Sequence, residues 1–170
     1  DNSPPLRYND YMKTISMDYI AGIIDGEGYI GLWKTKTRST REYGYQPGIK
    51  IAMVDCDDLI YALMEEFGGH VHYRTASQAN HRDSTCWELK GKKLLKPFLE
   101  DIMPHLRLKT RQAELLYEFC QIGNLHPLYA PQERFEQAET IYRELLALKH
   151  ESPATTKRGR PDQVMLKVKR

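Results

Sequence analysis

Apolar positions along this 170-residue chain change their spacing several times, and each change predicts an element. Met17, Ile20, Ile23 and Ile24 follow the helical period, and Ser16 is placed to N-cap a helix from Met17 to about Gly26. Gly26 and Gly28 break it, and Gly28 to Lys36 reads as a strand carrying Tyr29, Trp33 and Thr35. Thr37 to Gly44 is polar and loop-like. In Tyr45 to Val54, Ile49, Ile51 and Met53 alternate with Lys50 and Ala52, which predicts the second arm of a hairpin. Pro47 suits an edge or an end of that strand. Asp57 is a candidate N-cap for a helix through Leu59, Ile60, Leu63, Met64 and Phe67, stopped by Gly68-Gly69. His70–Thr75 and Thr85–Lys90 form a second hairpin around a polar loop, Ala76–Ser84.

A third helix from about Lys92 to Ile102 turns Leu94, Leu95, Phe98, Leu99 and Ile102 inward. Pro97 is awkward within it and Pro104 stops it. Thr110 to Ile122 is helical, and Pro131 opens a last helix to about Lys149. There Phe135, Ala138, Ile141, Leu145, Leu146 and Leu148 are apolar and Glu133, Glu136, Glu139 and Glu144 mark a solvent face. The plan is α+β: one four-stranded antiparallel sheet with helices on one face. Residues 1–151 read as a single domain and 152–170 as a basic tail.

Composition adds two exclusions. The longest apolar stretch, Tyr19–Ile24, is too short to span a bilayer, and the first residues show no basic and apolar leader. Cys56, Cys86 and Cys120 are an odd number without close pairing. They predict a reducing, intracellular setting, bacterial or phage-host cytoplasm or an organelle matrix, and lack zinc-site spacing.

Charge changes the picture more. The net of +2 is a sum of alternating blocks. Residues 32–50, 71–111 and 152–170 carry +4, +5 and +5, while 1–31, 51–70 and 112–151 carry −3, −5 and −4. A fold that gathers the basic blocks on one side makes a positive surface from a near-neutral chain.

Candidate chemistry centres on Ile20-Ala21-Gly22-Ile23-Ile24-Asp25-Gly26-Glu27-Gly28. Gly22 and Gly26 are four apart and share a helical face. With Ala21 beside them they allow another helix backbone to approach closely. Glu27 follows at the negative end of the helix dipole, where a cation would offset its charge. Taken alone, the stretch fits plain close packing as well as a carboxylate site. Nothing resembles a Ser-His-Asp triad, a P-loop or a Rossmann turn. His70 and His72 alternate on a strand with no third ligand in step, and read as solvated or groove-facing.

That stretch resembles the signature of the LAGLIDADG homing endonucleases, and the likeness continues in order. Tyr29-Ile30 open a strand, Asp55-Cys56-Asp57-Asp58-Leu59 opens a helix, Phe67-Gly68-Gly69 ends it, and Pro104-His105-Leu106-Arg107-Leu108-Lys109 precedes the late helix. The resemblance covers roughly residues 16–123. It implies an αββαββα fold with a saddle-shaped sheet whose concave face lies along DNA. It implies a site-specific endonuclease that hydrolyses phosphodiesters in both strands and serves intron homing. The alternative is a non-cutting member, an intron maturase or a transcription regulator.

One motif implies a homodimer paired through Ala21, Gly22, Asp25 and Gly26, acting on double-stranded, near-palindromic DNA. Asp25 itself reads as structural at the helix junction. Glu27 is the implied metal ligand with the Gly26 carbonyl. Mg²⁺ is the implied ion, with Mn²⁺ or Ca²⁺ able to replace it for binding; no organic cofactor is implied. Lys109 matches the family's active-site lysine, and Asp55 stands where the family has Gln or Asn. A hairpin arm rises about 3.3 Å per residue and B-DNA about 3.4 Å per base pair, so each arm can follow roughly ten base pairs. The implied DNA-binding set is Lys34, Lys36, Arg38, Arg41, Gln46 and Lys50 on or beside the first hairpin. To these the second adds Arg74, Gln78, Asn80, Arg82 and Lys90, followed by Arg107 and Arg111. Arg158-Gly159-Arg160-Pro161 resembles the core of an AT-hook, though a generic basic tail fits Arg158 and Arg160 better.

Overall fold

A computed structural model describes residues 15–36, 43–76, 82–126 and 129–151. Helix α1 spans Met17–Glu27, and the Ser16 side chain caps it by accepting the Tyr19 N–H at 3.3 Å. Strands β1 (Gly28–Lys36) and β2 (Tyr43–Met53) form the first hairpin. Helix α2 (Asp57–Phe67) leads to the second hairpin, β3 (His70–Arg74) and β4 (Ser84–Lys90). Helix α3 (Lys92–Ile102), a 3-10 turn (Met103–His105), α4 (Thr110–Gln121) and α5 (Gln132–Glu151) complete the described chain.

The sheet is fully antiparallel in the order β1-β2-β4-β3. Ile49 pairs with Ile30 on one side and Leu89 on the other, and Ile51 pairs with Trp87. These side chains face the helices and are essentially buried. They meet Ile20 and Ile24 of α1, Ile60 and Leu63 of α2, Leu95 and Leu99 of α3, and Leu116 and Phe119 of α4. Because side chains alternate along a strand, Tyr29, Gly31, Trp33, Lys50, Glu88 and Lys90 fall on the opposite, open face.

The expectations for Asp57 and Leu94 are corrected, and the places of Pro47 and Pro97 find their physical reason. Pro47 lies inside β2, paired with Leu32. The β2–β4 ladder starts one residue later, at Gly48, so Pro47 sits where β4 no longer flanks it and its missing N–H costs nothing. Asp57 is the first residue of α2, after Cys56 at the cap position, and its carboxylate accepts the Thr85 hydroxyl instead. Leu94 is 42% exposed: Leu95, Phe98, Leu99 and Ile102 complete the buried stripe, and Leu94 flanks it, 3.7 Å from where a Gly68 Cβ would lie. Pro97 is accommodated inside α3 because it is on the exposed side, where water can bond the carbonyl it leaves free. Gly68 ends α2 at φ +74°, a left-handed conformation that a side chain would strain, and its N–H bonds the Met64 carbonyl at 2.9 Å.

Candidate active site and nucleic-acid interface

The end of α1 is held by a reciprocal exchange with the loop before α4. The Asp25 carboxylate accepts the backbone N–H groups of Arg107, Leu108 and Lys109 at 2.7, 3.1 and 2.9 Å. The Lys109 ammonium donates to the carbonyls of Ile24, Asp25 and Gly28 at 2.7, 2.8 and 2.7 Å. Carbonyls in a helix's last turn lack intrahelical partners and carry the negative end of its dipole, so a cation suits them. Burial lowers the Lys109 pKa below the ordinary lysine value, while the charges of Asp25 and Glu27 pull it back up. An ammonium has three donors, and all three are used here. Lys109 therefore braces the helix end and leaves positive charge beside Glu27; it has no donor to spare for a phosphate in this arrangement.

The Asp25 carboxylate is thus turned back into its own chain. Ala21 is fully buried in the core, which takes it off the exposed face expected to pair. Gly22, Gly26 and Glu27 are exposed, and a Cβ at either glycine would have nothing within 4 Å. Tyr19, 52% exposed, and the half-buried Ile23 continue that bare face at helical spacing. The Gly26 carbonyl is not among those Lys109 takes.

Asp55 occupies the turn between β2 and α2 with φ +54°, the one non-glycine residue with positive φ among those described. Aspartate tolerates this region better than most residues. Its carboxylate pairs with Arg82 at 3.1 Å, both side chains being about four-fifths exposed. Gly28 pairs with Ile51, so Glu27 and Asp55 lie at the same end of the sheet. No hydrogen bond joins them among the described residues. Within one protomer, no group of three or more His, Cys, Asp or Glu that could hold a metal ion occurs among the described residues. What Glu27 and Gly26 offer is hard oxygen, the donor type Mg²⁺ and Ca²⁺ prefer, from an exposed carboxylate and a carbonyl.

No protein-family model matches the chain, and no curated protein matches it. Solved structures do. I-CvuI, a homing endonuclease crystallised with a DNA target in the presence of Mg, superposes with a TM-score of 0.65 at 18% identity, over 91% of this chain and 88% of its own. The archaeal intron-encoded homing endonuclease I-Vdi141I, complexed with DNA, gives 0.63 at 19% identity over 84% and 85%. I-LtrWI, a LAGLIDADG homing endonuclease bound to target DNA, gives 0.61 at 16% identity over 77% of this chain and 44% of its own. The chain has the LAGLIDADG homing-endonuclease fold.

Within the LAGLIDADG fold the predicted DNA-binding residues separate. Gln46, Lys50, Lys90 and Arg74 lie on the open face. Arg107 is exposed in the loop beside α1 and Arg82 pairs with Asp55. Lys34 is on the other face. It falls in step with Ile30 and Leu32, and its ammonium is 2.7 Å from Glu139 of α5, over the rings of Tyr45 and Tyr142. Arg111 is turned to Glu114, Glu118 and Glu144 in the helix layer, at 3.3, 3.5 and 3.1 Å. Lys36 ends β1. Arg38, Arg41, Gln78, Asn80, Arg158 and Arg160 lie outside the described residues.

Three residues of the open face, Tyr29, Trp33 and Glu88, are not among the candidate DNA-binding residues. The ring of Trp33 lies across Gly48, where a Cβ would come within 2.5 Å of it, and Tyr29 lies likewise over Gly31 at 2.6 Å. The two ring centroids are 5.3 Å apart. The strand alternation from Ile30 and Leu32 contained the signal, since it sets Tyr29 and Trp33 opposite the core and Lys34 toward it. Two of the four glutamates assigned to a solvent face on the last helix are engaged instead, Glu139 by Lys34 and the Tyr45 hydroxyl and Glu144 by Arg111. Lys149 of that helix sits 5.6 Å from the Tyr29 ring centroid.

Proposed function

We propose that the chain is a site-specific DNA endonuclease that acts as a homodimer with a divalent metal ion and cuts both strands of a near-palindromic duplex. The carrying observation is the braced end of α1. There an exposed carboxylate, Glu27, ends a bare Gly22/Gly26 face beside the Lys109 charge and at the edge of a sheet with an open lysine-bearing face. Coverage supports the dimer: the chain matches most of I-CvuI and I-Vdi141I but less than half of I-LtrWI. Pairing two copies through the glycine face brings Glu27 and its symmetry mate together. A two-fold protein calls for a two-fold target, with half-sites of roughly ten base pairs.

Glu27 and the Gly26 carbonyl would hold the ion. A divalent ion such as Mg²⁺ would supply polarisation of a phosphate and a lowered pKa for water there. The chain's own part is positional. Asp25 and Lys109 fix the helix end so that Glu27 is presented in one place, and the Lys109 charge supports an anion nearby. Asp55 is assigned to the same end as a water- or backbone-orienting group. Lys50, Lys90, Arg74 and Gln46 read or grip DNA on the open face. The homing of an intron is the biological role this reading carries.

The test is cleavage of a plasmid library of candidate sites with Mg²⁺ by wild type and Glu27→Gln. We expect linear product from the wild type only, and retained binding by the variant. Equal cutting by both would remove Glu27 from the chemistry. Specific binding without cutting by the wild type would indicate a maturase or a transcription regulator.

A further inference from the structure

The middle of the open face is built around a buried carboxylate. Glu88 is 7% exposed, although its place between the core residues Trp87 and Leu89 turns it away from the helices. One of its oxygens meets the Lys50 ammonium at 2.9 Å and the other meets Lys90 at 2.6 Å. Both ammonium groups lie over the Trp33 ring, 5.4 and 5.8 Å from its centroid. Gly48 gives that ring its bed. Burial opposes ionisation of Glu88, but Lys90 and Lys50 outweigh it and hold the carboxyl below its usual range.

A cross-strand ion pair for stability needs one lysine. Here two like charges are brought side by side, and they can stay so only because the carboxylate divides its oxygens between them. Lysine ordinarily explores many rotamers, and ordering it at a binding face costs affinity when it happens on binding. Here the ordering is done in advance, on two rigid strands. Each side chain remains about one-third exposed, and each ammonium has donors beyond the one given to Glu88. An acidic side chain on a face offered to DNA would repel phosphate if it stood alone; bracketed this way, the cluster stays net positive.

Building on the DNA-binding reading above, we infer that Glu88 is a positioning residue for base recognition. It sets Lys50 and Lys90 as a fixed pair of donors for the O6 and N7 acceptors of guanine in the major groove, on the Trp33 platform. Glu88 itself touches no base.

The test uses the full chain and a library of randomised duplexes, sorted by binding and sequenced, with affinities measured at several salt concentrations. The wild type should prefer guanine at one short stretch of each half-site. Glu88→Gln keeps the shape and removes the charge. It should weaken that preference by roughly tenfold while leaving the rest of the site unchanged. Non-specific affinity should rise, with a salt slope steeper by about one phosphate contact, because two lysines are released. A purely structural role would lower all affinities together and would not steepen the slope. Lys90→Met should lose the same base positions with a shallower slope, and it tests the cluster if Glu88→Gln does not fold. Unchanged base preferences in either folded variant would overturn the inference. A wild type with no base preference would overturn it together with the DNA-reading function, so the two failures are distinguishable.

Discussion

Asp25 and Lys109 do their work through the backbone. Six hydrogen bonds join these two side chains to the backbone at the end of α1 and in the loop before α4, 81 to 85 positions apart in sequence, so each residue satisfies the other's unpaired chain groups. Lys109→Met leaves three carbonyls without their cation. It should cost roughly 3 kcal/mol in urea unfolding, alongside any loss of cleavage. Glu139 is a second residue with a measurable signature. Lys34 first, then the Tyr45 hydroxyl and, more weakly, Arg143, hold its carboxyl at about 2, against some burial penalty. A depressed carboxylate stabilises the fold above the unfolded pKa, about 4.3, and the contribution is lost as pH falls toward the folded value. Glu139→Gln should therefore lie below wild type by about 1–2 kcal/mol at neutral pH, discounted for partial exposure, and the gap should close between about pH 4 and pH 2. Chemical denaturation across that window checks it.

At the scale of elements, glycines of the same type serve opposite ends. Gly22 and Gly26 leave one side of α1 bare, while Gly31 and Gly48 are covered by aromatic rings. Gly48 is the tighter of the covered pair: a Cβ there meets the Trp33 ring at 2.5 Å and the Leu89 carbonyl oxygen, which is backbone, at 2.9 Å. Gly48→Ala should destabilise by roughly 2 kcal/mol and shift the tryptophan fluorescence, since the ring has to leave its bed. Gly22→Ala, with open space around it, should raise monomer helix stability by up to about 1 kcal/mol. The order of these elements, hairpin after helix twice over, is what sets the end of α1 against the first residue of β1 and puts Glu27 at that junction.

For the molecule as a whole, the proposed dimer rests on the α1 face. A Cβ at Gly22 has nothing within 4 Å of it, so the fold should survive Gly22→Leu. The proposed two-fold pairing should not survive, and sedimentation should show a monomer where wild type is a dimer. A folded dimer from Gly22→Leu would place the interface elsewhere. Charge is organised at the same scale. The basic segments 32–50 and 71–111 contribute to both faces of the sheet, and the fold sorts them: Lys50 and Lys90 go to the open side, Lys34 and Arg111 to acids of the helix layer. Among the described residues no helix is long and apolar enough to cross a membrane.

Much of this was written in local patterns. Apolar period and glycine punctuation determine α1 through α5 to within a few residues, because helix and strand each demand a fixed spacing of buried side chains. The nine residues Ile20–Gly28 determine that two glycines share a face and that Glu27 follows them. Distances in space are another matter. That Lys109 exhausts its donors on the end of α1 depends on a loop 84 positions away returning to it. That Glu88 is buried between two lysines depends on the β2–β4 register, and that Lys34 is lost to Glu139 depends on where α5 packs. Side-chain type states what a residue can do; only the packed chain decides which partner it meets, because the strength of a polar contact depends on a distance that packing sets.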